Sequence, residues 1–331
     1  MNDPQPPSVP NDRKEAGISG FWRRVFAFLV DEAILCIPAF LLGLVFFDQF
    51  ARLGSWGRAL GFVVSLLYFG LMNSALGGGQ TLGKRLAKIR VVDANGSFIP
   101  WTKSFARYSI LGLPYFLNNA HIPPRFLFGW TGSLLSFLIF GIGLSIIYLI
   151  IFNRRNRQSL HDVIIGTYVT KTQAIAGVPK PKIWMGHYVV VTLLLAISIF
   201  VPFLIQGFVD KAPFKELLAL QTSILRQPEV AYVSVFAGKS FFSDSSGTRF
   251  STGLTAVVSV DRRINNYDQL ANRIARAVFE NYLEAKQRDQ ITVTIIYGYD
   301  LGIAWANTHQ TYNFSPLEWQ QRIQSQVGDS P

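Results

Sequence analysis

Three short stretches hold residues whose types and spacing could do chemistry. Gly78 to Lys84 reads GGQTLGK, the G-x-x-x-x-G-K opening of a phosphate-binding loop. FWRRVFAFLVD (21–31) sets Arg24 and Asp31 seven residues apart, on one helix face about 10 Å apart along the axis. SLHD (159–162) places His161 and Asp162 behind a serine, and Ser-x-x-Asp also matches a helix-capping pattern.

Nucleotide chemistry at the glycine run needs a strand before it, a helix after it and a hydroxyl after the lysine. Here an apolar run precedes it, and Arg85 stands where the hydroxyl belongs. The run is therefore expected to be a helix-end turn, with Gly77 to Gly79 as a left-handed C-cap. Thr81 would then start a short interfacial helix carrying Lys84, Arg85 and Lys88 toward headgroups. KIRVVD, Asn95-Gly96 and SFIPW follow as a strand, a turn and a second strand, a β-hairpin over 88–101.

Asp31 lies about two turns inside an apolar run. An ionised carboxylate there costs on the order of 3 kcal/mol, so it needs a partner or a wet cavity. Two readings stand: Asp31 lines a polar pathway, or Arg24 reaches down and satisfies it. Glu32 points about 100° away. Asp162 also has two readings. It caps a helix, or it joins a shared polar site. In the second case GTYVTK (166–171) adds to the hairpin and brings His161 and Asp162 near Lys84 and Arg85, beneath Arg24.

The elements that must position these residues are legible from composition. Half of the 331 residues are hydrophobic and 15% are charged. Runs long enough to cross a bilayer occupy 25–47, 59–76, 130–152 and 187–207. The net charge of +11 lies wholly before residue 208, flanking those runs, which argues for membrane topology and against nucleic acid. Lys84, Arg85, Lys88, Arg90 and Lys103 follow the second run; Arg154, Arg155, Arg157, Lys171, Lys180 and Lys182 follow the third. Both clusters are expected in the cytoplasm, so the shorter segment 105–119 must also cross despite Arg107 and Pro114. About five spans result, with the N-terminus inside and the C-terminus outside. Trp22, Trp56, Trp101, Trp130 and Trp184 fall near span ends, as interfacial anchors do. Cys36 is the single cysteine, so no disulfide forms within the chain, and the four histidines show no metal-ligand spacing.

FWRRVFAFLVD, GGQTLGKRLAKIRVVDANG and QSLHDVIIGTYV together resemble the RDD family, over about residues 17–171. Arg24, Asp31 and Asp162 are the arginine and two aspartates that name it. The resemblance implies a multi-pass membrane protein with transport suspected. The polar site expected, for transport or for structure, comprises Arg24, Asp31, Gln80, Thr81, Gly83, Lys84, His161 and Asp162.

From residue 208 the charges are mixed and no long apolar run occurs. FKELLALQTSILR reads as a helix, AYVSVFA and GLTAVVSV as strands around a polar loop, and YDQLANRIARAVFENYLEAKQR as an amphipathic helix. ITVTIIYGYD and GIAWANTHQTYNF form a second strand pair, and Ser315-Pro316 starts a last helix. The order α-β-β-α-β-β-α predicts a small antiparallel sheet with helices on one face.

The fold expected is an α-helical multi-pass membrane domain with a small cytoplasmic β-hairpin element, followed by an extracytoplasmic α+β domain. Its parts are a disordered tail (1–16), an RDD-like membrane domain (17–186), a last transmembrane helix (187–207) and the external domain (208–331). Two functions compete. One is transport of a small solute or ion across the cell membrane through Arg24, Asp31 and Asp162. The other is an anchor presenting an extracytoplasmic domain to a protein partner. No catalytic residue, cofactor or metal is expected, the lipid bilayer is an expected partner, and a homo-oligomer is compatible with either function.

Overall fold

The computed structural model describes residues 17–173, 182–209, 211–244 and 247–328, so the expected N-terminal tail and Lys180 lie outside the described residues. Helices α1 (Phe21–Val45), α2 (Phe47–Ala51), α3 (Gly57–Met72) and α4 (Leu82–Leu86) precede strand β1 (Ile89–Asp93). Helices α5 (Trp101–Leu117), α6 (Gly129–Ser136), α7 (Ile142–Phe152) and α8 (Leu160–Ile165) follow, then strand β2 (Thr167–Lys171) and helix α9 (Met185–Val209). A π-helical turn, Phe137–Gly141, makes α6 and α7 one continuous rod. The C-terminal domain runs α10 (Phe214–Leu225), β3 (Val230–Asp244), β4 (Gly247–Val260), α11 (Tyr267–Asn281), β5 (Gln290–Asp300), β6 (Trp305–Phe314) and α12 (Pro316–Gly328).

Among the described residues four helices are long and apolar enough to cross a membrane: Phe21–Val45, Gly54–Met72, Gly129–Phe152 and Met185–Val209. Their large side chains point outward, as a lipid environment allows. Leu29, Ile37 and Leu41 of α1, and Leu193, Ile197 and Leu204 of α9, are all more than half exposed. The five tryptophans near span ends are exposed too. α5 differs: Ser104, Arg107, Tyr108, Gly112, Pro114 and Phe116 are buried along it, and it is not among the four.

The chain divides into two compact units. One holds residues up to Pro38 with Ala59–Asn119 and Ser133–Val201; the other holds Ala39–Arg58, Ala120–Gly132 and Pro202 onward. In the first, β1 pairs antiparallel with β2, from Ile89↔Lys171 to Asp93↔Thr167, and Ile18 bridges Thr170. Ala27, Ile89, Val91, Ile99 and Val169 form a small core there.

The expected hairpin over 88–101 is corrected by this pairing. The Asn95-Gly96 turn exists, with Asp93 Oδ1 accepting from the amides of Asn95 (2.8 Å) and Ser97 (2.9 Å). No strand over 97–101 follows, because the glycine run already occupies that edge of β1. The Val91 amide donates to Gly79 O (2.8 Å), and Gln80 Nε2 donates to Ile89 O (2.8 Å). Pro100, lacking an N–H, instead precedes α5. β1 takes its partner from 167–171, the strand read at the sequence level as a candidate to join it.

In the second unit the sheet order is β3-β4-β5-β6. The expected all-antiparallel sheet is corrected at its centre, where β4 and β5 run parallel. The helix between them, α11, returns the chain to the starting end, as a β-helix-β crossover must. The polar loop expected over 238–250 is also largely strand. Backbone pairing continues from Gly238↔Gly253 to Asp244↔Gly247, because an antiparallel ladder needs no apolar face to satisfy its amides. Alternation in β5 buries Ile291, Val293, Ile295 and Tyr297 against Leu270, Ile274 and Val278 of α11 and Leu220 and Ile224 of α10. Trp319 of α12 is fully buried and donates its indole N–H to Ile291 O (2.9 Å). Ser315 and Glu318 close a reciprocal capping box at the start of α12. The segment after α1 belongs to this core as well. Ala51 is buried in it, Phe47 packs against Tyr297 and Tyr299, and the Tyr297 hydroxyl donates to Asp48 (2.8 Å).

Candidate functional site

Asp31 is fully buried, and three donors fill its carboxylate. The Tyr68 hydroxyl (2.7 Å) and the Gly83 amide (2.8 Å) donate to Oδ1, and the Thr81 hydroxyl donates to Oδ2 (2.5 Å). Thr81 also caps α4, accepting from the Lys84 amide (3.3 Å). The loop that resembles a phosphate cradle thus cradles a carboxylate of its own chain. Gly79 turns it at a left-handed φ of 70°, which favours glycine. Gly83 is required by proximity: a Cβ there would run into the Ala27 carbonyl and the Asp31 carboxylate.

Arg24 does not hold Asp31, although their spacing allowed it. Its guanidinium donates to the carbonyls of Arg157 and Val169 (3.2 Å) and faces Asp162 at 3.7 Å. The backbone of Arg157 that receives it is left-handed, φ 56°. Buried side chains of Asn153, Asn156 and Gln158 hold that turn: Asn153 donates to Asn156 (2.6 Å), Asn156 to Gln158 (2.7 Å), and Gln158 Nε2 to Thr167 O (2.9 Å).

Asp162 is the second buried carboxylate. Arg107 donates to it through Nε (2.8 Å), and the Thr167 hydroxyl donates to the same oxygen (2.7 Å). Arg107 Nη2 also donates to His161 Nε2 (3.0 Å). Because an arginine only donates, His161 Nε2 accepts, and its proton sits on Nδ1, which is buried without a partner among the described residues. Burial pushes His161 down to about 3, so it is neutral at physiological pH. Burial alone would raise the Asp162 carboxyl, but Arg107, then His161 and Arg24, outweigh it and hold the group well below the usual carboxylate range.

These residues meet around one cavity of about 240 Å³. Arg24, Asp31, Lys84, Arg107, Arg157, His161 and Asp162 line it, with Phe28, Phe69, Leu111 and Ile150 as apolar wall. Lys84 is half-buried there, its ammonium 5.9 Å from the Phe69 ring, and desolvation lowers it to about 7.

Several sequence expectations change here. Lys84 faces the cavity and not headgroups, because the cap on Thr81 and the seat of Gly83 on α1 turn α4 inward. Ser159 precedes α8 without a side-chain cap bond, and Asp162 serves Arg107 and not helix amides. Arg85 stays exposed, donating to Gly77 O (3.5 Å), and Gln80 pins β1. At the end of α3, Asn73 Nδ2 donates to Phe69 O (2.8 Å). The sequence reading takes Arg157 only as topological charge and Arg107 only as an obstacle to a crossing by 105–119. An arginine inside an apolar segment needs a buried carboxylate, and that signal pointed to Asp162.

Over 152 residues the chain is 28% identical to the uncharacterized protein YckC of Bacillus subtilis (strain 168), covering 46% of this chain and 83% of that one. Residues 18–166 match the family model described as the RDD family, and Arg24, Asp31, Lys84, Arg107, Arg157, His161 and Asp162 all fall within that match. The similarity to the RDD family thus covers residues 18–166, which hold three of the four long apolar helices found among the described residues.

Proposed function

We propose that this is a multi-pass cell-membrane protein, not an enzyme, whose RDD portion carries a small solute or ion through the cavity between Arg24, Lys84 and Asp162. One observation carries the reading: an open volume of about 240 Å³ persists amid costly buried charge, where a purely structural ion-pair network would close on itself. Asp31 serves this site by locking α4 to α1, since its oxygens are already filled.

The topology proposed has the N-terminus in the cytoplasm, five crossings including α5, and the C-terminal domain outside. The positive charge after α3 and α7 supports it. So does the chain's division, which changes unit after Pro38, Arg58, Asn119, Gly132 and Val201, once within or beside each proposed crossing. A reporter enzyme active only outside the cytoplasm, fused after Gln320, is expected to be active.

Proteoliposomes holding the full chain test transport against a panel of ions and small acids, with and without a pH gradient. Flux is expected above that of protein-free vesicles and lost in Val25→Trp, which fills the cavity from α1. Absence of flux for every solute, from protein of native thermal stability, leaves the second reading. In that reading the helices anchor an external binding domain, favoured by the segment after α1 being built into that domain's core.

A further inference from the structure

The charges and donors around the cavity do not balance, and the imbalance has a sign. Four cationic side chains line it, Arg24, Lys84, Arg107 and Arg157, against two carboxylates. Asp162 is committed to Arg107 at 2.8 Å with Arg24 at 3.7 Å. Asp31 is filled by three neutral donors. Among the described residues neither Lys84 nor the Arg157 guanidinium has a carboxylate within 4.0 Å. Among the described residues, two further donors of the lining, Arg24 Nε and His161 Nδ1, are buried without a partner, against one unpartnered acceptor, Asn73 Oδ1. Buried donors normally find acceptors, so this set lacks a guest that brings oxygen atoms and negative charge.

A cation fits poorly. Hard cations take six or more oxygen ligands, and the cavity offers only two carboxylates, Asp31 accepting three hydrogen bonds and Asp162 ion-paired to Arg107. Among the described residues no cluster of three His, Cys, Asp or Glu side chains could hold a metal.

A second cleft extends the argument. It has a volume of about 650 Å³ and is bounded by Trp22, Arg23, Arg154, Arg157 and Lys171, with no carboxylate in its lining. Arg157 and Phe21 line both spaces. A basic cleft of this kind concentrates anions at the cavity's edge.

We propose that the cavity is a receptor for a small oxyanion, a carboxylate or phosphate group, gripped by Lys84 and Arg157 and reached through the basic cleft that Arg157 shares. The inference rests on the cavity being a solute site but not on transport. The apolar wall of Phe28, Leu111 and Ile150 leaves room for a short hydrocarbon part beside the charged end. A free acid and the phosphate of an anionic lipid share this chemistry.

The test is binding by full-length protein in nonionic detergent, below pH 7, with butyrate and inorganic phosphate as probes. Sodium, potassium and magnesium chlorides are compared with choline chloride. An oxyanion is expected to bind, and Lys84→Gln and Arg157→Gln each weaken it at least tenfold. Lys239→Gln, on β3 of the other unit, leaves it unchanged. Because Lys84 and Arg157 lack carboxylate partners, neither variant is expected to melt below the wild type without probe, and Lys84→Gln, relieved of a desolvated charge, melts above it. Nanodiscs locate the source. If adding phosphatidylglycerol to phosphatidylcholine discs blocks phosphate binding, and does so through Lys84 and Arg157, the natural guest is a lipid headgroup; if not, it is a free acid. No response to either oxyanion and none to phosphatidylglycerol, a response unchanged in both variants, or one specific to a cation overturns the inference. Cation flux without anion binding would leave the carrier standing and remove this proposal; anion binding without flux would do the reverse.

Discussion

In the C-terminal domain Trp319, Leu254 and Ile274 are fully buried, while an ion pair such as Arg322–Asp268 lies outside, both side chains at least 36% exposed. In the RDD portion the arrangement is inverted. Leu29, Ile37 and Leu41 face outward, and the fully enclosed side chains include Asp31 and Asp162. Water expels apolar surface and so specifies the first core. A bilayer is as apolar as leucine, so burying leucine there gains little, and hydrogen bonds and close contacts must specify which faces meet. The second region is therefore held by a few polar joints: Asp31 to Thr81 and Gly83, Asp162 to Arg107, Arg24 to the 157 and 169 carbonyls.

The largest expected effect follows from that inversion. Asp162→Ala leaves Arg107 buried with its carboxylate removed, a change that costs about 3–5 kcal/mol. Asp268→Ala removes an exposed partner and costs under about 1 kcal/mol. Thermal unfolding in detergent should show the first variant strongly destabilised and the second near wild type. Equal shifts would erase the contrast between the two regions.

Gly83→Ala comes next. Its methyl would meet the Ala27 carbonyl and the Asp31 carboxylate, so α4 must lift from α1, at about 1–3 kcal/mol for an overpacked contact. Gly20→Ala, with open space around it, is the control and should show no such loss. Hydrogen exchange should quicken at α4 and β1 in the first variant only.

Trp319→Phe probes the other region. It removes the donor to Ile291 O inside an apolar core, costing about 1–3 kcal/mol for the stranded acceptor. Exchange should rise in β5 and α12 while α1 and α8 keep wild-type protection. Loosening of α8 would show that the regions do not hold themselves separately.

The same contrast explains what the sequence made legible. In the C-terminal domain every element follows from period and turn residues, because burial writes alternation into ITVTIIYGYD and helical spacing into Leu270, Ile274 and Val278. The parallel pairing and the long hairpin escaped, because both depend on where a chain returns, which local pattern does not encode; so did the end of α11, which stops at Asn281 before a 3-10 turn over Leu283–Gln287 instead of running on through YLEAKQR. In the RDD portion the spans were plain from apolar length, but their inward faces were not. Asp31 finds Gly83 and Arg107 finds Asp162 across more than fifty residues, with no periodicity marking the pairs. Arg24 and Asp31, adjacent by spacing, serve different joints. The glycine run was misleading in one respect and informative in another: its amide does bind an anionic oxygen, but one belonging to Asp31.

The smallest effect at neutral pH, and the one that most sharpens the comparison, concerns Lys84. Desolvation holds it at about 7, against an ordinary 10.5, with Arg107, Asp31, Asp162 and Arg24 as the charges around it and His161 beside it neutral. Between those two values the unfolded chain binds the Lys84 proton and the folded chain does not. Stability therefore rises with pH through that window, and below about 7 the charged ammonium is a full burden on the unliganded fold. An oxyanion guest needs that same proton. Its affinity should fall about twofold at the midpoint and then approach about tenfold per pH unit above it. Stability and affinity thus move in opposite directions as pH rises. Lys84→Arg keeps its charge and should flatten the affinity profile, while Lys84→Met should flatten the stability profile and bind weakly throughout. The C-terminal domain supplies the contrast. There Asp289 and Glu318 are held below their ordinary values by hydrogen bonds to Thr252 and Ser315, so their contribution is complete near neutrality and lost only as the solution turns acid. Melting curves for wild type and Lys84→Met from neutral to alkaline pH, with and without butyrate, read both trends. If affinity held constant across the window while stability rose, Lys84 would not be touching the guest.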